Sequence, residues 1–140
     1  MLSDTALTTD YLHLSYCPKM ATLVVRWLRA VSFAEVQEGL RAAREMSYSY
    51  GAARWLVDVR RRTELDAATS GWVATTLLPA VAAESAPAML HIAYLLSPTR
   101  ADMLEHSPGM RAVTATAQAH PAYQLQLFLD EAVAVAWLMS

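Results

Sequence analysis

The chain has 140 residues, enough for one domain with its own core, and 55% of them are hydrophobic, 26 of those being alanine. A net charge of −2 leaves no global basic field that would draw the chain to nucleic acid or to an anionic membrane. Cys17 is the only cysteine, which excludes an intrachain disulfide and a zinc site built from cysteines.

Residues 1–10 are short and polar and read as a frayed lead, so that 11–140 form a single domain. The opening "MLSDTALTTDYLHLSY" has no basic segment followed by an apolar run, so no signal peptide is read there. Then "YLHLSY" alternates, with Leu12, Leu14 and Tyr16 on one face. "TLVVRW" alternates likewise through Leu23, Val25 and Trp27. The short "CPKM" between them makes the pair an antiparallel hairpin.

"VSFAEV" opens a helix. Ser32 and Glu35 have the spacing of a capping box, and Val31 and Val36 flank it at staple positions. Val36, Leu40, Ala43 and Met46 follow as one apolar stripe, and Gly51 ends it. "RWLVDV" is a compact strand. Thr63 with Asp66 offers a second cap, and Leu65, Thr69, Trp72, Val73, Thr76 and Leu77 share a helical face. Pro79 is expected to bend or end that helix.

The longest apolar stretch, "LLPAVAAESAPAMLHIAYLL", is broken by Pro79, Glu84 and Pro87, so it cannot span a bilayer as one helix of ~20 residues. Within it "MLHIAYLL" reads as a buried strand. "SPTRADMLEH" and "GMRAVTATAQAH" are one or two helical pieces around Pro108-Gly109. "YQLQLFL" alternates as a strand, and "DEAVAVAWLM" closes as a helix capped by Asp130. The order ββαβαβαβα predicts an α/β sandwich with a mixed, mostly parallel central sheet. A soluble, cytoplasmic protein without an integral membrane segment is expected.

Asp58 at the end of a strand, Asp66 opening a helix, and Ser70-Gly71 just after it resemble the SpoIIAA-like, or STAS, fold. The likeness is nearest to short, stand-alone bacterial members and runs as a pattern from Tyr11 to Leu138. It implies a regulatory module of the anti-sigma-factor-antagonist type, or a carrier related to SEC14-type lipid-binding domains. The family's serine directly after the second aspartate is Ala67 here, and two extra residues precede Ser70-Gly71. The family's phosphorylation switch is therefore not carried over.

Catalytic patterns are lacking. His13, His91, His106 and His120 have no metal-ligand spacing, and neither a G-x-S-x-G elbow nor a glycine-rich phosphate loop occurs. Glu64 and Asp66 sit where helix-start carboxylates complement the dipole. The four tryptophans read as core anchors, with Trp72 the one that would line a ligand pocket or a dimer face. "RRR" at 60–62 follows a strand and precedes a helix, where anions gather in α/β sheets. The alternative is a solvated basic loop offset by Asp58, Glu64 and Asp66.

These features predict a non-catalytic interaction module with no cofactor, metal or nucleic-acid partner. Its partner-facing residues would be Arg60, Arg61, Arg62, Asp66, Ser70 and Trp72, meeting a protein partner or a second copy. In the alternative, the chain carries a lipid or other amphiphile in an apolar pocket, its anionic head held by Arg60, Arg61 or Arg62.

Overall fold

The computed structural model describes residues 6–140. Six strands form one sheet in sequence order: β1 (Ala6–Thr8), β2 (Leu12–Cys17), β3 (Thr22–Trp27), β4 (Arg54–Asp58), β5 (Leu90–Leu95) and β6 (Tyr123–Phe128). Strands β1, β2 and β3 pair antiparallel with one another, and β3 to β6 are parallel. The mixed, mostly parallel α/β sheet expected from the periodicities is therefore present. The lead read as frayed needs correction, because Ala6–Thr8 pairs with β2 from Ala6↔Ser15 to Thr8↔His13. Three residues are too few to show a period, but they cover an edge that β2 would otherwise leave open. Residues 1–5 of that lead lie outside the described residues.

The first helix, α1 (Phe33–Tyr50), begins at the capping box read from the sequence. The Ser32 hydroxyl accepts from Glu35 N at 3.1 Å, and the Glu35 carboxylate accepts from Ser32 N at 3.0 Å. Gly51 ends it in the left-handed region, φ 63°, donating to the Ser47 and Tyr48 carbonyls. The next helical run starts at Asp66, not Thr63. The Asp66 carboxylate accepts from Ala68 N at 3.0 Å and from the Thr69 hydroxyl at 2.6 Å.

That run comprises α2 (Ala67–Trp72), a π-helical segment (Val73–Leu77) and α3 (Leu78–Ser85). Pro79 does not end it. In the π-helical segment Leu78 N donates five residues back to Val73 O. The Ala74 carbonyl would then need a donor at residue 79, and proline has none. The buried Tyr123 hydroxyl supplies it at 2.8 Å. Burial pushes the Tyr123 phenol up to about 12, so it remains a donor at ordinary pH. Tyr123→Phe should therefore cost ~1–3 kcal/mol, because a buried carbonyl loses its partner. An unchanged denaturant midpoint would show that this hydroxyl is not what holds the segment.

Two helices fill the next crossover, α4 (Pro98–Glu105) and α5 (Pro108–Gln118). Each starts with the same dipeptide. Ser97 and Ser107 are N-caps accepting from Arg100 N and Met110 N, and proline takes the first helical position, where no N–H is needed. The closing helix, α6 (Glu131–Leu138), is capped by Asp130 as read from the sequence. Among the described residues no helix is long and apolar enough to cross a membrane.

Parallel strands that add in one direction through right-handed crossovers place their helices on one face. Helices α1, α3 and α5 accordingly pack over Leu23, Val25, Trp55, Val57, Leu90 and Ile92. Among the described residues the other face carries α6 alone, with Ala134 and Leu138 over Val24, Leu56, Ala93 and Leu95. Trp27 and Trp55 are fully buried, whereas Trp72 and Trp137 are half-buried.

Candidate functional site

The carboxyl ends of β4 and β5 send their chains to the same face, and the space between them holds the buried polar residues Thr69 and Arg100. Loop 59–66 leaves β4 through a turn in which Arg62 N donates to Val59 O at 3.1 Å. This turn divides the three arginines. Arg60 folds back to the face under α6, where its Nε and Nη2 meet Asp58 at 3.0 and 2.8 Å. Asp58 also accepts from Arg26, which grips Glu131 of α6 at 2.9 and 3.1 Å. Burial raises the Asp58 carboxyl, but the bonds from Arg60 and Arg26 outweigh it and hold it below the usual range.

Arg61 is exposed, and among the described residues it has no ion-pair or hydrogen-bond partner. Arg62 turns inward. Its guanidinium lies 5.3 Å from the centre of the Trp27 ring, and its Nε donates to Glu64 at 2.9 Å. The same Glu64 oxygen accepts from Val31 N, tying the loop to the entry of α1. The other, Oε1, is buried without a partner.

Arg100, on the first turn of α4, completes the site. It is only 7% exposed, and its Nη1 donates to the carbonyls of Arg62 and Glu64 at 3.1 and 2.9 Å. No carboxylate pairs with it among the described residues. Burial, and then the charge of Arg62, pulls its guanidinium below its ordinary value. The Tyr94 hydroxyl faces the same region and has no hydrogen-bond partner among the described residues. Burial pushes its phenol up, which keeps it a donor.

These groups border a cavity of about 80 Å³ between α2, α4, α5 and the sheet. Arg62, Thr69, Ser70, Tyr94, Arg100 and Thr114 are its polar lining, and Val73, Leu78, Val113 and Leu125 are among its apolar walls. No histidine, aspartate or glutamate lines it. Beyond a wall of Leu96, Leu104, Thr114 and Leu127 lies an open groove of about 650 Å³ along α4, α5 and the end of β6. Here the chain paths part: β5 leads to α4 on one face, and β6 to α6 on the other. Sequence reasoning looked for such a divergence after β4, but successive crossovers from β3 to β6 keep to one side.

Of the residues singled out from the sequence, Arg62 and Ser70 meet in the cavity. Arg60, Arg61 and Trp72 do not line it. Asp66 caps α2, and Trp72 packs edge-on against Phe33 with ring centres 5.6 Å apart. Sequence reasoning missed Arg100 and Tyr94. A signal for Arg100 exists, since it lies one turn before Leu104 on the inward face of a helix started by Ser97-Pro98. For Tyr94, an inward position inside an apolar strand looks like ordinary core. Among the described residues no three His, Cys, Asp or Glu side chains come together that would hold a metal ion. Compared with protein-family models, curated proteins and solved structures, the chain matches none, so the site stands on its own geometry.

Proposed function

We propose that the chain is a non-catalytic binding module that takes an anionic molecule with an apolar body, its charged head in the cavity between α2, α4, α5 and the sheet. Arg100 carries this reading. A charge this deeply buried normally has a carboxylate partner, and Arg100 has only two neutral carbonyls. Tyr94 offers a further donor in the same lining. The non-catalytic part rests on the lining itself, where the Thr69 hydroxyl is engaged by Asp66, the N-cap of α2, at 2.6 Å, and Ser70 has no histidine or carboxylate hydrogen-bonded to it among the described residues.

The sequential strand order with its antiparallel lead supports a SpoIIAA-like fold, and with it a regulatory, cytoplasmic role. Occupancy would reach a protein partner through loop 60–66, whose backbone Arg100 holds. A partner-facing edge at that loop is favoured by Arg61, exposed and unpaired among the described residues, and by Phe33, 44% exposed beside Trp72.

Calorimetric titration with 8-anilinonaphthalene-1-sulfonate, an anion with an apolar body, tests the proposal. Wild-type protein should bind one equivalent. Arg100→Met should weaken binding ten-fold or more, because a charge-assisted hydrogen bond is worth ~1.5–3 kcal/mol. Arg61→Ser should leave binding unchanged. Near-ultraviolet circular dichroism shows whether each variant keeps its packing. Absence of saturable binding, or equal binding by a folded Arg100→Met protein, defeats the reading.

A further inference from the structure

We infer that the ligand of this site is a monocarboxylate with a single unbranched apolar chain, its carboxylate at Arg100 and its chain directed toward the α4–α5 groove. This rests on the binding function proposed above and specifies the ligand class.

The charge balance sets the head. Arg62 is paired with Glu64 at 2.9 Å, so among the described residues Arg100 is the one guanidinium of the cavity without a salt bridge. A carboxylate brings one negative charge and balances it. A phosphate monoester brings ~1.5–2 and would leave negative charge buried, which is strongly unfavourable.

Donor geometry agrees. The Nε/Nη2 edge of a guanidinium is a fork that matches the two oxygens of a carboxylate. Arg44 uses this edge on Glu84 at 2.9 and 3.2 Å, and Arg60 uses it on Asp58. In Arg100 the two protein contacts both fall on Nη1, so the Nε/Nη2 edge has no protein partner among the described residues. The Tyr94 hydroxyl, bordering the same cavity, is an additional donor to a carboxylate oxygen.

Volume sets the tail. About 80 Å³ holds a headgroup and little more, whereas sites for whole small molecules run to ~300–1,000 Å³. The groove of about 650 Å³ lies in that range and shares Leu96, Leu104 and Leu127 with the cavity. A single chain passing between these three leucines would bury its methylenes against them. Two chains from one head would not fit the narrow inner part.

Titration of wild-type protein with butyrate, hexanoate, octanoate, decanoate and decyl phosphate tests the inference. Decanoate should bind one per chain and at least ten-fold more tightly than decyl phosphate. Affinity should rise about four-fold per methylene along the carboxylate series, the factor expected when each is buried. Arg100→Lys keeps the charge but loses the fork, and decanoate should weaken about ten-fold. Ala115→Trp places a large ring in the groove from an exposed position, and should weaken decanoate while leaving butyrate unchanged. Decyl phosphate binding as tightly as decanoate, or affinity flat with chain length, overturns the inference while the anion site stands. Failure of these ligands and of the naphthalene sulfonate alike removes the site itself.

Discussion

Deletion of residues 130–140 is expected to abolish cooperative unfolding, because among the described residues α6 is the only helix over its face of the sheet. Ala134 and Leu138 are buried there, against Val24, Leu56, Ala93 and Leu95 at 0–7% exposure. Uncovering three or four such side chains and losing Leu138 costs ~1.5–3 kcal/mol each. The sum is on the order of the whole stability of a small domain, ~5–15 kcal/mol. Both ends of the helix are also held by arginines of the sheet. Arg26 grips Glu131, and Arg54 Nε donates to Leu138 O at 2.9 Å. The deletion would strand Arg26 beside Asp58 and expose an apolar strip that promotes association. Thermal unfolding by circular dichroism and the elution volume on gel filtration read both effects. A truncated monomer that melts near the full-length temperature would show that α6 is not part of the core.

Trp27→Ala should cost ~3–5 kcal/mol, the usual loss for a large buried aromatic. Trp27 is 2% exposed, stacks on Tyr11 with ring centres 6.3 Å apart, and carries Arg62 on its face. It also lies against Gly39 of α1, where a Cβ would come within 2.9 Å of its ring and 2.8 Å of Leu12. That contact makes a sharper test. In the wild-type protein Gly39→Ala should destabilise, since overpacking costs ~1–3 kcal/mol and exceeds the ~1 kcal/mol gained in helix propensity. With Trp27→Ala already present, the ring is gone, Leu12 has room to shift, and the same Gly39→Ala should stabilise. Denaturant midpoints of the four proteins give the coupling directly. If Gly39→Ala has the same sign in both backgrounds, the glycine is not there to admit the tryptophan.

Local physics made much of the fold legible in the sequence. The capping box at Ser32 and Glu35 needs only the residues that form it, and so does the cap at Asp130. Alternation through Leu12, Leu14 and Tyr16 and through Leu23, Val25 and Trp27 identifies strands, because a pleated strand buries every second side chain. The Ser-Pro dipeptides at 97–98 and 107–108 were equally local signals of two helix starts. What escaped was non-local. Tyr123 lets the helix run past Pro79 by donating to Ala74, 49 residues away in sequence, and no window of the chain contains both. Likewise "RRR" looks like one basic cluster, yet a turn sends Arg60 to Asp58 on one face and Arg62 under the helices on the other. Arg100 joins Arg62 from 38 residues away, on a helix whose inward face is otherwise apolar. The sequence alone determined where α1 and α6 begin and which sides of β2 and β3 are apolar, since capping and periodicity act within a few residues. Only tertiary packing decided which charges were cancelled and which was left buried without a carboxylate, because that depends on where separate crossovers bring their loops together.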